Sequence, residues 1–155
     1  MTYSNLKGNN QMKSFKQHIT ELFNNPLRFK KYSSLGNSRY VFNVPKVGQY
    51  DAYFKKEGRK DKPIYQFYFE DPDGDIEISN VGHKASIQVF STVAAILKDF
   101  IENKTPKKFY FDADKSVGDS RTVLYHRLAK KIEKETDYKL TITKLKDNDI
   151  FKFER

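Results

Sequence analysis

Apolar and polar residues alternate along much of residues 38–79, which is the pattern of strands that bury one face. Pro, Gly and Asp interrupt this alternation, and the strongest turn signal is Asp-Pro-Asp-Gly at 71–74. Short strands joined by tight turns are typical of an antiparallel meander. The pattern predicts four such strands, over residues 38–44, 50–56, 64–70 and 75–79.

Helical spacing replaces the alternation in other parts of the chain. Apolar residues recur every third or fourth position over 90–102, and Leu and Ile recur at steps of four over 121–135. A shorter amphipathic stretch at 13–23 predicts a further helix. The ring-rich segment 108–113 predicts a central strand, and the last strands, over 138–143 and 150–153, predict a hairpin.

These elements predict a single α+β domain over residues 22–155, after a flexible arm and amphipathic helix over residues 1–21. The predicted order is an N-terminal helix, an antiparallel meander of about four strands, a helix, a central strand, a helix and a C-terminal hairpin. A chain of 155 residues has the length of one domain, and its thirteen Phe and ten Tyr suit an aromatic core.

The net charge indicates which kinds of partner the protein attracts. Lys and Arg number 29 against 20 Asp and Glu, which gives a formal net charge of +9. Such a surface attracts nucleic acid and acidic proteins. No apolar run approaches the length of a membrane span, so a membrane partner is not expected. The absence of cysteine excludes disulfides, thiolate zinc sites and a cysteine nucleophile.

One basic cluster follows the last predicted helix, on the side away from its apolar stripe. Such a ridge could lie along a phosphate backbone, although an ordinary solvated helix face has the same pattern. We call these residues the helix ridge: Arg121, Arg127, Lys130, Lys131 and Lys134.

A second basic cluster, Arg28, Lys30 and Lys31, alternates with Phe29 and Tyr32. Cations and rings together suit single-stranded nucleic acid, because bases stack on the rings. The alternative is a strand or loop whose rings belong to the core. We call the three cations the N-terminal basic cluster.

Acidic and histidine residues do not form a recognisable metal site. Asp71, Asp73 and Asp75 lack the glycine and glutamate positions of a calcium loop and fit a turn instead. His18, His83 and His126 lie on different elements without metal-ligand spacing. We therefore expect neither a metal nor a cofactor.

The phrase Leu-Tyr-His-Arg-Leu at 124–128 and the order of elements from residue 40 to 155 resemble the GNAT acetyltransferases. The resemblance implies Tyr125 as general acid and acyl-CoA as cofactor. The paired glycines that bind the pyrophosphate in that family are missing from residues 82–92. Lys84, Gln88 and Ser91 would have to hold the phosphates in their place.

Residues 12–21 (MKSFKQHITE) resemble the leader of proteins that large tailed phages package into their proheads. The resemblance implies cleavage after Glu21, because Ile19-Thr20-Glu21 fits the prohead protease site. Segments of the body, such as 88–90 and 109–111, also resemble small proteins common in these phages. A plain amphipathic helix is the alternative for the leader.

The leading hypothesis is therefore a non-enzymatic phage protein, located in the virion or the host cytoplasm. Its basic faces would contact DNA, RNA or an acidic protein, with the phage capsid or a host protein as partner. An acyl-CoA-dependent N-acetyltransferase and an inhibitor of a host enzyme are the alternatives.

Overall fold

The computed structural model describes residues 26–73, 83–115 and 119–155 of the chain. Seven strands in these residues form one sheet, and two helices pack against it. The helices are α1 (His83–Lys104) and α2 (Asp119–Glu135). The strands are β1 (Phe29–Ser34), β2 (Asn37–Val44), β3 (Gly48–Arg59), β4 (Lys62–Glu70), β5 (Lys108–Asp114), β6 (Lys139–Lys144) and β7 (Asn148–Glu154).

The sheet is mixed, with the strand order β1-β2-β3-β4-β5-β7-β6. β1 to β4 form an antiparallel meander, and β5, β7 and β6 are also paired antiparallel. β4 and β5 are parallel, and their register pairs Tyr65 with Phe109 and Gln66 with Tyr110. Helix α1 makes the crossover that a parallel connection requires.

The predicted order of elements is wrong. We expected a helix first, whereas the described chain leads with strands and carries its helices only between β4 and β6. Residues 29–34 form a strand because they pair with β2 along their whole length, from Phe29↔Phe42 to Ser34↔Asn37. The predicted helix over 13–23 and the predicted strand over 75–79 lie outside the described residues.

Alternation along the strands places the core on one face of the sheet. Tyr40, Phe42 and Val44 are buried on β2, and Phe67 and Phe69 are buried on β4. Both helices cover this face, so their apolar stripes meet the strand rings. The ring centroids of Phe54 on β3 and Phe100 on α1 lie 3.8 Å apart, and Phe111 on β5 contacts Tyr125 on α2.

The opposite face of the sheet carries no described helix, and we call it the open face. On β3, Asp51, Tyr53 and Lys55 belong to this face, because they alternate with the buried Ala52 and Phe54. The turns of the β1–β2 and β3–β4 hairpins lie at one end of the sheet, which we call the hairpin end. Neither α1 nor α2 combines the length and the hydrophobicity that a membrane-spanning helix requires.

Candidate nucleic-acid interface

One row of side chains crosses the open face from β1 to β4. The register pairs Tyr32 with Arg39, Arg39 with Tyr53, and Tyr53 with Tyr68. Side chains that face each other on neighbouring strands lie close enough to interact. The strand pairing therefore brings four residues of different strands into one continuous row, which we call the tyrosine–arginine row.

Planar groups in this row contact one another. The rings of Tyr53 and Tyr68 are stacked, with centroids 5.0 Å apart and planes 22° from parallel. The guanidinium carbon of Arg39 lies 5.8 Å from the centroid of the Tyr32 ring. Tyr32 is 51% exposed and the Arg39 side chain is 45% exposed, so both present surface to solvent.

Asp51 holds the guanidinium of Arg39 in place. Arg39 donates to Asp51 Oδ2 from Nε at 2.9 Å and from Nη2 at 2.6 Å. Gln49 donates to Asp51 Oδ1 at 2.9 Å, and the Tyr53 hydroxyl donates to Oδ2 at 3.2 Å. Burial tends to raise the pKa of the Asp51 carboxyl, but the hydrogen bonds from Gln49 and Arg39 outweigh it and lower the pKa. Asp51 is therefore ionised at neutral pH.

Exposed lysines lie on the side of the row that faces the hairpin end. A groove of about 490 Å³ lies there, and Tyr32, Leu35, Arg39, Tyr53 and Lys55 are among the residues that line it. In the described part of the chain, exposed Lys55 lines this groove, exposed Lys60 and Lys62 lie at the neighbouring β3–β4 turn, and none of the three forms an ion pair. Their charge is available to an external anion.

The structure divides the N-terminal basic cluster between the two faces of the sheet. Lys30 lies opposite Val41 on the open face, beside the row. Lys31 lies on the helix side, where its Nζ is 3.4 Å from Asp99 Oδ2 of α1. Arg28 is exposed just before β1. Only Lys30 of the three therefore lies directly beside the tyrosine–arginine row.

The helix ridge lies on the other side of the sheet from the row, because α2 packs on the core face. Lys131 Nζ is 2.7 Å from Glu135, and Lys130 Nζ is 4.0 Å from Glu133, so glutamates offset part of its charge. Lys134 is exposed in the last turn, and Arg127 is partly buried. Arg121 belongs to α2, but its side chain lies outside what the structure describes.

Of the residues predicted for acyl transfer, the structure describes the side chains of Tyr125, Gln88 and Ser91. The Tyr125 ring packs against Phe69, Phe90 and Phe111, at centroid distances of 6.2, 5.4 and 6.0 Å. Ser91 is fully buried within α1. Partly buried Gln88 accepts the Thr92 hydroxyl at its carbonyl. The side chain of Lys84, like residue Glu21, lies outside the described residues.

His126 forms a polar cluster with Asp149 and Lys115. Its Nε2 is 2.8 Å from Asp149 Oδ2, and Lys115 Nζ is 2.9 Å from the other carboxylate oxygen. This cluster joins α2 to β7 at the end of the sheet opposite the hairpin end, next to the β6–β7 turn. Across residues 26–73, 83–115 and 119–155, no three His, Cys, Asp or Glu side chains are placed to hold a metal ion.

Sequence reasoning missed most of the row. Tyr53 stands between the buried Ala52 and Phe54, and Tyr68 stands between the buried Phe67 and Phe69. Alternation alone therefore assigns both tyrosines to the face away from the core. Aromatic residues on that face were the available signal for a binding surface.

No protein-family model matches this sequence, and no curated protein is significantly similar to it.

Proposed function

We propose that this protein binds nucleic acid on the open face of its sheet, at the hairpin end. The observation that supports the proposal is the tyrosine–arginine row beside exposed lysines without ion pairs. Lysines that neutralise phosphates supply affinity for any nucleic acid, because they release condensed counterions. Rings and a guanidinium on the same surface add contacts that a purely electrostatic patch lacks.

An acidic protein is a less suitable partner for this surface. A stable protein interface has a core depleted in charge, and its buried centre is mainly apolar. The groove at the hairpin end instead combines Arg39 and Lys55 with Asn37 and tyrosines. A partner that carries regularly spaced phosphates matches this composition better than a folded acidic surface does.

A binding titration with matched charge reversals tests the proposal. We expect a fluorescently labelled 20-nucleotide single strand to raise its anisotropy with the wild-type protein at about 50 mM salt. The variant Lys55→Glu/Lys62→Glu places negative charge on the open face at the hairpin end, so it should weaken binding at least about tenfold. The control Lys144→Glu/Lys146→Glu changes the net charge equally, but at the far end of the sheet.

The control variant should bind within about twofold of wild type. Equal weakening in both variants would mean that the field of the whole molecule, not this site, attracts the strand. Failure of the wild-type protein to bind any strand at this salt concentration would refute the proposal. Binding to polyaspartate in place of nucleic acid would assign the surface to an acidic protein.

The phage context and the acyltransferase alternative stay predictions. The first is tested by the N-terminal sequence of the protein from purified particles, which should begin at Leu22 if the leader is removed. The second is tested by thermal shift, since a bound ligand at 100 times its Kd adds about 2.7 kcal/mol to stability. An unchanged melting temperature at millimolar acetyl-CoA would argue against that alternative.

A further inference from the structure

The tyrosine–arginine row is wide enough for more than one nucleotide. Neighbouring strands lie about 4.8 Å apart, so three steps from β1 to β4 make a row of about 14 Å. Its flat groups are Tyr32, the Arg39 guanidinium and the Tyr53–Tyr68 pair. Two or three unstacked bases can lie along this length.

Asp51 disfavours the binding of a phosphate within the row. Its carboxylate takes both hydrogen bonds from Arg39 and places a negative charge within the row. Arg39 keeps the flat face of its guanidinium, which stacks on rings as well as on bases. The backbone phosphates are better placed over Lys30 and Lys55, which border the row and are exposed.

We infer that the row is a base-stacking platform, so that the ligand is a single strand whose bases lie on Tyr32, Arg39 and Tyr53–Tyr68. The inference rests on the proposed function and names its substrate class. Bases in a duplex are stacked on one another and do not offer their faces to a protein. Single strands do offer them, and stacking on aromatic side chains tolerates any base.

The experiment compares three probes with the full chain: a 20-nucleotide single strand, the same strand with three central abasic sites, and the corresponding duplex. The abasic strand has the same phosphates, so it measures the electrostatic part alone. We expect it to bind about tenfold or more weakly than the intact strand, given the strength of base–ring stacking. The duplex should also bind more weakly than the intact strand.

The ratio of intact to abasic affinity is then measured in two variants. Tyr53→Leu/Tyr68→Leu keeps apolar volume on the face but removes the stacked rings, so the ratio should fall towards one. Tyr110→Leu, which removes a ring of the same face outside the row, should leave the ratio unchanged. Each ratio is internal to one protein, so a modest loss of stability in a variant does not affect it.

Three results would overturn the inference. One is equal affinity for the intact and abasic strands, and another is duplex binding as tight as single-strand binding. The third is an equal fall of the ratio in Tyr110→Leu. If wild type binds all three probes alike and Lys55→Glu/Lys62→Glu still weakens binding, the proposed function stands without the platform. If wild type binds no probe, the proposed function itself fails.

Discussion

Asp149 shows how a single buried charge is held in this protein. The carboxylate is 3% exposed and lies between Lys115 and His126, at 2.9 and 2.8 Å. Burial tends to raise the pKa of Asp149, but hydrogen bonds from Lys115 and His126 outweigh it and lower the pKa. The folded state therefore binds a proton at Asp149 less readily than the unfolded state does.

This difference predicts a pH-dependent effect of Asp149→Asn. At pH 7 the variant should lose about 1–3 kcal/mol of the free energy of unfolding, because Lys115 loses its ion pair and His126 loses a charged hydrogen-bond partner. A lowered folded pKa stabilises the protein above the unfolded pKa of about 3.9, and that stability is lost as pH falls through the folded value. The difference between wild type and variant should therefore shrink towards pH 3. Urea unfolding at both pH values measures it.

Asp147→Asn is the matched control, since Asp147 is exposed in the same turn. We expect it to change the free energy of unfolding by less than about 0.5 kcal/mol at either pH. A loss in Asp149→Asn that is the same at pH 7 and pH 3 would contradict the assignment of its effect to the ionised carboxylate.

At the scale of elements, the β1–β2 turn contains one residue that suits its left-handed backbone, Gly36, and one that does not, Leu35. Leu35 and Gly36 form a two-residue loop with φ angles of 51° and 83°. Hairpin loops with both residues in the left-handed region favour Asn-Gly. Leu35 is 97% exposed, so no packing compensates for its backbone conformation. We therefore expect Leu35 to reduce the stability of this hairpin.

Replacement Leu35→Asn should raise the free energy of unfolding by about 1 kcal/mol, because asparagine tolerates the left-handed region better. Chemical denaturation of both proteins at pH 7 measures the change. Leu145→Asn serves as the control, since Leu145 is also exposed but is not among the residues with positive φ. A stability gain of equal size at Leu145 would show that lost surface hydrophobicity, not the turn, is responsible.

Local patterns predicted some elements well. Helices near 90–102 and 121–135 follow from apolar spacing within one segment, and the structure has α1 and α2 there. Strand β1 was missed because it is an edge strand with a burial pattern in which only Phe29 is partly buried. β1 forms a strand because it pairs with β2, and a pattern within one segment of sequence does not predict such a pairing. The parallel pairing of β4 with β5 is non-local for the same reason.

The candidate site was predictable only in part. The sequence placed rings and cations together at Lys30 and Tyr32, which lie on the open face. The stacking of Tyr53 on Tyr68 depends on the register of two strands, and the position of Arg39 depends on a third. A shift of one residue in any pairing would move these side chains to the other face. Register is therefore the information that the sequence alone lacked.

Over the whole molecule, charge is distributed unevenly between the two ends of the sheet. The register places Arg59, Lys62 and Lys108 together at the hairpin end, where Asp61 and Glu154 pair with Arg59 and Lys108, and Lys62 forms no described ion pair. Glu70 and Asp114 lie at the opposite end, with the 147–149 turn. Among the described residues, the hairpin end of the sheet therefore has a more positive field than the opposite end.

This uneven distribution predicts how salt affects binding. The logarithm of the binding constant falls linearly with the logarithm of the salt concentration, with a slope of about −0.7 per phosphate contacted on a single strand. Lys55→Gln/Lys62→Gln, which removes two open-face cations, should therefore make the slope shallower by about 1.4. Lys144→Gln/Lys146→Gln lowers the net charge equally, yet it should leave the slope unchanged, because the slope counts contacted phosphates. Anisotropy titrations at several salt concentrations measure both slopes. Equal changes in the two variants would mean that the strand has no fixed place on the sheet.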